Sequence, residues 1–452
     1  MPASSLSASE PDPASALAPE GAKAARAEAA FDGSVRALDT DAYKRVLSSV
    51  VEASMQQGLT WERPQGGYDP VPLMLRPRVW TLAQAEQIRQ ACLAVQGALA
   101  RLLHLWLERE DVRALLPLTP YEESRVRSLS KSGPSLDDQY LFARLDAIVD
   151  CAQPGWESTL AFLEPNVVGV GGTRYTALAE AVWHQSALPR LNSIGFTVEP
   201  QVDSRRLLLD HLLDRAHALG FRDPVRLALV EDLREIFGTN ELRMLADYFT
   251  QQGHPSYHVD VRSLEYRGDQ LFAAGKPVDM VYRFPELREL EELDDGHSLD
   301  PLWRAFDKRL VVSTVGGDFD HKSAFELMSS SRFLNLFDAG SRQLLARHVL
   351  WTRLVSARRI EGPQGNEVDL PEFVRRQREL LVLKPNRSYG GDRVTLGPET
   401  SQSDWEKALD EAIAQPGAWV VQQYRPLPRQ SFPVRQGESW GSEELAMVSG
   451  FY

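Results

Sequence analysis

The stretch LVLKPNRSYGGDRVTLG, residues 381–397, constrains the fold more than any other part of the chain. Leu381, Val382 and Leu383 form a short apolar run of the kind found in a buried strand, and that strand delivers one lysine, Lys384. A Pro385-Asn386 turn follows, then Tyr389-Gly390-Gly391 and a second alternating run at 394–396. A lysine ending a buried strand needs an exit to water or an anion, because an unpaired buried ammonium is costly. Beside a glycine hairpin it suggests a polyphosphate clamp. The rest of such a site has to come from elsewhere in the sequence.

The chain alternates helical and strand-like segments, which predicts an α/β or α+β organisation. Ile88, Ala91, Cys92, Val95, Leu99, Leu102, Leu103 and Trp106 step by three and four, so residues 82–110 read as one long helix or two, ended by Pro117 and Pro120. Further helices are expected at 42–55, 177–186, 204–218, 240–252 and 404–414. Strands are expected at 140–149, 159–163, 226–230, 278–283 and 419–424. The first two strands flank a turn-forming Gln153-Pro154-Gly155 and are expected to pair.

Composition narrows the function classes. A net charge of -13 argues against a general nucleic-acid surface. Two cysteines, Cys92 and Cys151, make neither a disulfide framework nor a thiolate metal cluster. No apolar run approaches the roughly 20 residues of a membrane span. Residues 1–35, rich in Ala, Ser, Pro and Glu, read as a disordered leader without a secretory core. A cytoplasmic location is the default expectation.

The middle of the chain supplies carboxylates. Glu164 and Asn166 are two apart, so an extended strand projects both from one face. Asp146, in the preceding strand, can join them if the strands pair, and Arg144 shares its face. Oxygen donors of this kind suit Mg²⁺. The local patterns leave bland alternatives open. Glu164 and Asn166 also fit a surface salt bridge or turn cap, Arg144 and Asp146 a structural pair, and Gly169-x-Gly171-Gly172 a tight connection.

Together these segments resemble the circularly permuted ATP-grasp family, whose relatives include glutathionylspermidine synthase. The resemblance covers roughly residues 70–452 and rests on several weak motifs in the right order. Arg144-x-Asp146 and Glu164-x-Asn166 look like its metal and phosphate motifs, and Asp320-His321-Lys322-Ser323-Ala324 like the segment carrying its first nucleotide-facing lysine. Lys384 and the Tyr389, Gly390, Gly391 loop look like the second lysine and the flap. Gln422, Gln423 and Tyr424 look like the hinge that meets adenine mostly through backbone groups. Arg283, ending the family-like Val278-Asp279-x-x-Tyr282-Arg283, is implied as a substrate carboxylate or phosphate contact. The fold implied is a permuted ATP-grasp core, with metal strands ahead of the nucleotide lysines.

The resemblance implies ATP and Mg²⁺ as cofactors, with the metal on Asp146, Glu164 and Asn166. Catalytic roles fall to Arg144, Arg283 and Lys384. The implied reaction joins a small carboxylate to an amine (an amino acid, peptide or polyamine) through an acyl phosphate. A degenerate nucleotide-binding protein and an ATP-dependent phosphotransferase remain as alternatives. The expected organisation is a leader (1–35), a helical N-terminal region (36–140), metal-binding strands (141–200), an α/β substrate-side domain (201–300) and a nucleotide-binding lysine, glycine-loop and hinge region (301–452). The family pattern also continues past the hinge to a glycine-rich turn and a phosphate-facing arginine. Here residues 444–451 begin the corresponding strand and the sequence stops at Tyr452, so that part is expected to be shortened or replaced.

Other chemistries find less support. The histidines show no compact metal-ligand spacing, the glycine loop lacks the complete dinucleotide fingerprint, and Ser323 has no evident base.

Overall fold

The computed structural model describes residues 19–63, 65–131, 139–191, 195–235, 240–388 and 390–452. The first described element departs from expectation. Glu20–Arg36 is a helix, and it buries Ala24, Ala27, Phe31 and Val35. Alanine has the best intrinsic helix propensity, so a narrow stripe of small residues ending in Phe31 and Val35 suffices once a partner covers it. Phe31 meets Trp183 edge-on at 5.6 Å between ring centroids. Glu28 and Asp32 pair with the buried Arg76 at 3.3 and 3.0 Å. The expected disordered leader is therefore ordered from residue 20; residues 1–18 lie outside the described set.

The expected helix over 82–110 is Leu82–Glu108, one element with a Thr81/Gln84 capping box. Its stripe of Ile88, Ala91, Val95, Leu99, Leu102, Leu103 and Trp106 is buried in the largest apolar cluster, with Cys92 half-buried at its margin. No helix among the described residues is long and apolar enough to cross a membrane.

Three sheets position the candidate site. The first has the order Ser449–Phe451, Arg144–Ile148, Ala161–Asn166, all antiparallel. The two expected strands do pair, and Arg144 faces Asn166 while Asp146 faces Glu164. The third strand comes from the C-terminal segment. Residues 444–451 do not form one strand: Ser439–Ala446 pairs back on Arg429–Gln436, and Ser449–Phe451 then crosses to Arg144–Ile148.

The second sheet is wholly parallel, in the order Val311–Val312, Met280–Arg283, Leu227–Glu231, Ser256–Asp260. Its two central strands are almost completely buried, as parallel strands covered on both faces must be. The third sheet is antiparallel, in the order Thr352–Leu354, Trp419–Gln423, Leu381–Pro385, Thr395–Leu396. The helix Gln402–Ala414 covers it, burying Trp405 and Leu409 against Leu381, Leu383 and Val421.

Candidate functional site

In an antiparallel ladder, directly opposed residues share a face. The register therefore puts Arg144, Asp146, Glu164 and Asn166 side by side on one face of the first sheet. A bulge interrupts the ladder between Asp146 and Ala147, whose partners are Glu164 and Phe162, so Leu163 is skipped. The carbonyl of this unpaired residue accepts from Lys384 Nζ at 2.9 Å and from Gln422 Nε2 at 3.1 Å. That one irregularity joins the metal-face strands to the lysine strand more than two hundred residues later.

Lys322 and Lys384 converge on the same carboxylate. Lys322 Nζ lies 3.3 Å from Glu164 Oε2 and donates to the Ser388 carbonyl at 2.7 Å, while Lys384 Nζ lies 3.9 Å from that oxygen. Burial pushes the Lys384 ammonium down to about 8, with Glu164 opposing the shift and Lys322 adding to it. Arg144 lies along its own strand. Its Nε and one terminal nitrogen donate to Asp146 at 2.7 and 2.9 Å, and the other donates to the Gly171 carbonyl at 2.6 Å. Asn166 Nδ2 donates to the Arg144 carbonyl at 3.3 Å, which leaves its amide oxygen as an acceptor.

A cavity of about 510 Å³ opens over this face, lined by Arg144, Asp146, Glu164 and Asn166, by Gly390 and Gly391, and by Phe284 and Glu289. Gly390 and Gly391 both have left-handed φ, 66° and 74°, which glycine adopts without a steric penalty. Tyr389 lies outside the described residues.

Asn386 holds the two lysine segments together. Its Oδ1 accepts from Ser323 N at 2.9 Å, its carbonyl accepts from Lys322 N at 3.1 Å, and its Nδ2 donates to the Gly417 carbonyl at 3.0 Å. The Pro-Asn turn was visible in the sequence, but its reach to residues 322, 323 and 417 was not.

Two expectations change. Arg283 is fully buried and does not face the cavity. Its guanidinium donates to the carbonyls of Ser313, Pro285 and Thr314 and to both oxygens of Asp318, so all five N–H groups are used internally. A strand-terminal arginine that closes on its own fold has nothing left for a substrate. The hinge differs too. Gln422 is buried and splits its amide between Leu163 O and Thr352 Oγ1, while the N–H groups of Gln423 and Tyr424 donate to the carbonyls of Trp351 and Leu380. The strand runs between two neighbours, and these donors are committed to protein carbonyls.

The glycine loop is likewise occupied from within. Gly172 N and Arg174 N, at the start of helix Thr173–Ser186, donate to the Glu241 carboxylate at 2.9 and 3.0 Å. A carboxylate there takes the place an anion would otherwise fill. Neither Glu241 nor Glu289 stood out in the sequence: Glu241 acts across a long separation, and the capping box that holds Glu289 marks a helix start and not a cavity wall.

The donor set fits a hard cation: two carboxylates and one amide oxygen on a single face, the oxygen-only ligands that Mg²⁺ prefers. Among the described residues, no three or more His, Cys, Asp or Glu side chains gather as a metal site. Asn166 is the third donor here. The paired lysines beside it fit a polyphosphate.

The fold is one of mixed helix and sheet, and it is shared with proteins of known structure. One solved structure that carries this likeness is that of a glutathione synthetase-like effector from Globodera pallida in its apo form. It superposes with a TM-score of 0.58 over 90% of this chain and 87% of that one, at 12% identity. The likeness is one of fold. No family model and no curated protein matches the sequence.

Proposed function

We propose that this chain is an ATP-dependent carboxylate–amine ligase with a circularly permuted ATP-grasp core, using Mg²⁺. The observation that carries the proposal is the convergence of Lys322 and Lys384 on Glu164, in a ladder that also aligns Asp146, Asn166 and Arg144. The order in the chain, with Asp146 and Glu164 ahead of both lysines, supports the permuted arrangement.

Bound together, ATP and Mg²⁺ supply a transferable phosphoryl group and the charge that screens it. Asp146, Glu164 and Asn166 would hold the cation. Lys322 and Lys384 would give up Glu164 and the Ser388 and Leu163 carbonyls for phosphate oxygens. Arg144, the arginine that reaches the cavity, would orient the acid as it becomes an acyl phosphate. Gly390 and Gly391 would close over the cavity and keep water from that intermediate. An amine then displaces phosphate to give an amide. Small acids and amines such as amino acids, peptides or polyamines suit the cavity. Two cysteines without a disulfide suit a reducing, ATP-rich compartment such as the cytoplasm.

A second reading, nucleotide binding without turnover, has one observation in its favour: both oxygens of Asp146 are held by Arg144. The deciding experiment is calorimetry with Mg²⁺ and ATP, followed by ADP-release assays with paired acids and amines. Saturable, Mg²⁺-dependent binding is expected, weakened roughly 10- to 100-fold by Lys384→Ala and by Glu164→Ala, the range for a lost charge-assisted hydrogen bond. No binding by folded, unchanged protein would sink both readings. Binding without ADP release over the whole panel would leave the second.

A further inference from the structure

The cavity has a second wall, which none of the assigned nucleotide or metal groups uses. Phe284 follows directly on Met280–Arg283 and Glu289 lies in the first turn of the next helix, Leu287–Leu293, so both come from the segment that leaves the carboxyl end of a strand of the parallel sheet. That end is where open α/β sheets take their ligands. Both residues line the same cavity as Asp146 and Glu164.

The charges on the two walls differ. Asp146 is held by Arg144, and Glu164 by two lysines. Glu289 is exposed and, among the described residues, makes no ion pair, because Arg288 beside it reaches Glu286 instead at 3.6 Å. One Glu289 oxygen accepts from Glu286 N at 2.8 Å in the capping box of helix Leu287–Leu293. That contact holds the carboxylate in place. The Phe284 ring packs over Gly169, where a Cβ would sit 3.9 Å from its edge carbons and 3.2 Å from its carbonyl oxygen. A carboxylate held in place, in no ion pair among the described residues and beside an aromatic ring, is the chemistry that recognises an alkylammonium group.

Resting on the ligase reading above, we propose that Phe284 and Glu289 form the acceptor subsite, and that Glu289 binds the ammonium of the amine substrate across the cavity from Glu164. This wall gives the amine a place of its own, apart from the lysines and Arg144 that take the anionic partners. It selects amines over alcohols of the same shape.

The test loads the full chain with Mg²⁺ and the non-hydrolysable analogue AMP-PNP. Calorimetry then follows putrescine, spermidine and glycinamide, with 1,4-butanediol as the uncharged control. At least one amine should bind saturably and the diol should not. Glu289→Gln should weaken that amine at least tenfold and leave AMP-PNP affinity unchanged. Glutamine still serves the capping box, so the helix start is preserved. Phe284→Leu should weaken the amine a few-fold. Equal amine affinity in Glu289→Gln, or AMP-PNP binding with no response to any of the three amines, overturns the subsite and leaves the nucleotide reading standing. No AMP-PNP binding overturns both.

Discussion

Arg144 and Arg283 each end up beside an aspartate, Asp146 and Asp318, but in opposite surroundings. Arg283 and Asp318 are both wholly buried, and three carbonyls complete the arginine's donors. Arg144 keeps a quarter of its side chain exposed, commits three donated bonds and looks into a cavity. A buried pair with every donor satisfied holds two segments in register. A half-open pair can exchange partners when a ligand arrives, because water and ligand both reach it. What separates a structural arginine from one that can meet a ligand is therefore the number of donors left over and the access to them.

The largest expected effect tests this contrast on stability. Arg283→Met leaves Asp318 as an uncompensated buried charge and should cost about 3–5 kcal/mol in urea unfolding. Arg144→Met removes a partly exposed pair and should change stability by no more than about 1 kcal/mol, while weakening ligand binding. The comparison breaks if Arg283→Met unfolds at the wild-type midpoint, or if it keeps the fold and loses only ligand binding.

Much of the open site was legible because strands have a period of two. Arg144 with Asp146, and Glu164 with Asn166, carry their shared face in their spacing, and the glycine pair after Lys384 marks its own turn. Arg283 also has an aspartate close by in the chain, four residues before it, and it ends an apolar strand where Arg144 begins one. That aspartate, Asp279, pairs instead with Arg226. The true partner, Asp318, arrives from a 3₁₀ turn at Val315–Phe319 that no periodicity announces. The bulge at Leu163, the commitment of the hinge N–H groups and the Glu241 cap are also products of tertiary contact. Helix Glu20–Arg36 was hidden for a different reason: its buried face is mostly small residues, Gly21, Ala24, Ala27 and Ser34, which in isolation look like disorder.

Lys384 sharpens the contrast at a second buried cation. Arg283 touches its carboxylate, whereas the Lys384 ammonium is 3.9 Å from the nearest one and only 6% exposed. Burial holds it down to about 8 in the folded chain, against roughly 10.4 in an unfolded one. Between these values the unfolded state binds more protons, so Lys384 makes stability rise with pH across that window, by about 3 kcal/mol in all; below pH 8 the burial penalty is fully present. Lys384→Met should remove that rise, seen as a smaller difference between urea midpoints at pH 7.5 and 9.5. An anion at the site works the other way, since it favours the charged lysine, so affinity for it should fall as pH rises above about 8. Parallel pH curves for the two proteins would show that Lys384 is not the strained cation its surroundings describe.

The smallest effect concerns what lets Arg144 lie open at all. Gly450 stands opposite Asp146 in the ladder, and a Cβ there would come 2.8 Å from Arg144 Cδ and 3.3 Å from Asp146 Oδ1. The nearer atom belongs to a flexible side chain, so Gly450→Ala should displace Arg144 without disturbing the strands, at a cost of about 1 kcal/mol, the low end for overpacking. Ligand affinity should drop a few-fold, because the displaced guanidinium no longer faces the cavity at its former angle. In an Arg144→Ala background the obstructing Cγ and Cδ are gone, and Gly450→Ala should then lose most of its effect on binding, a non-additivity expected of residues in contact. Fully additive effects would mean that Gly450 acts through the strand backbone. Arg144 would then be held by its sheet as firmly as Arg283 is by its carbonyls, and the distinction between the two arginines would narrow to exposure alone.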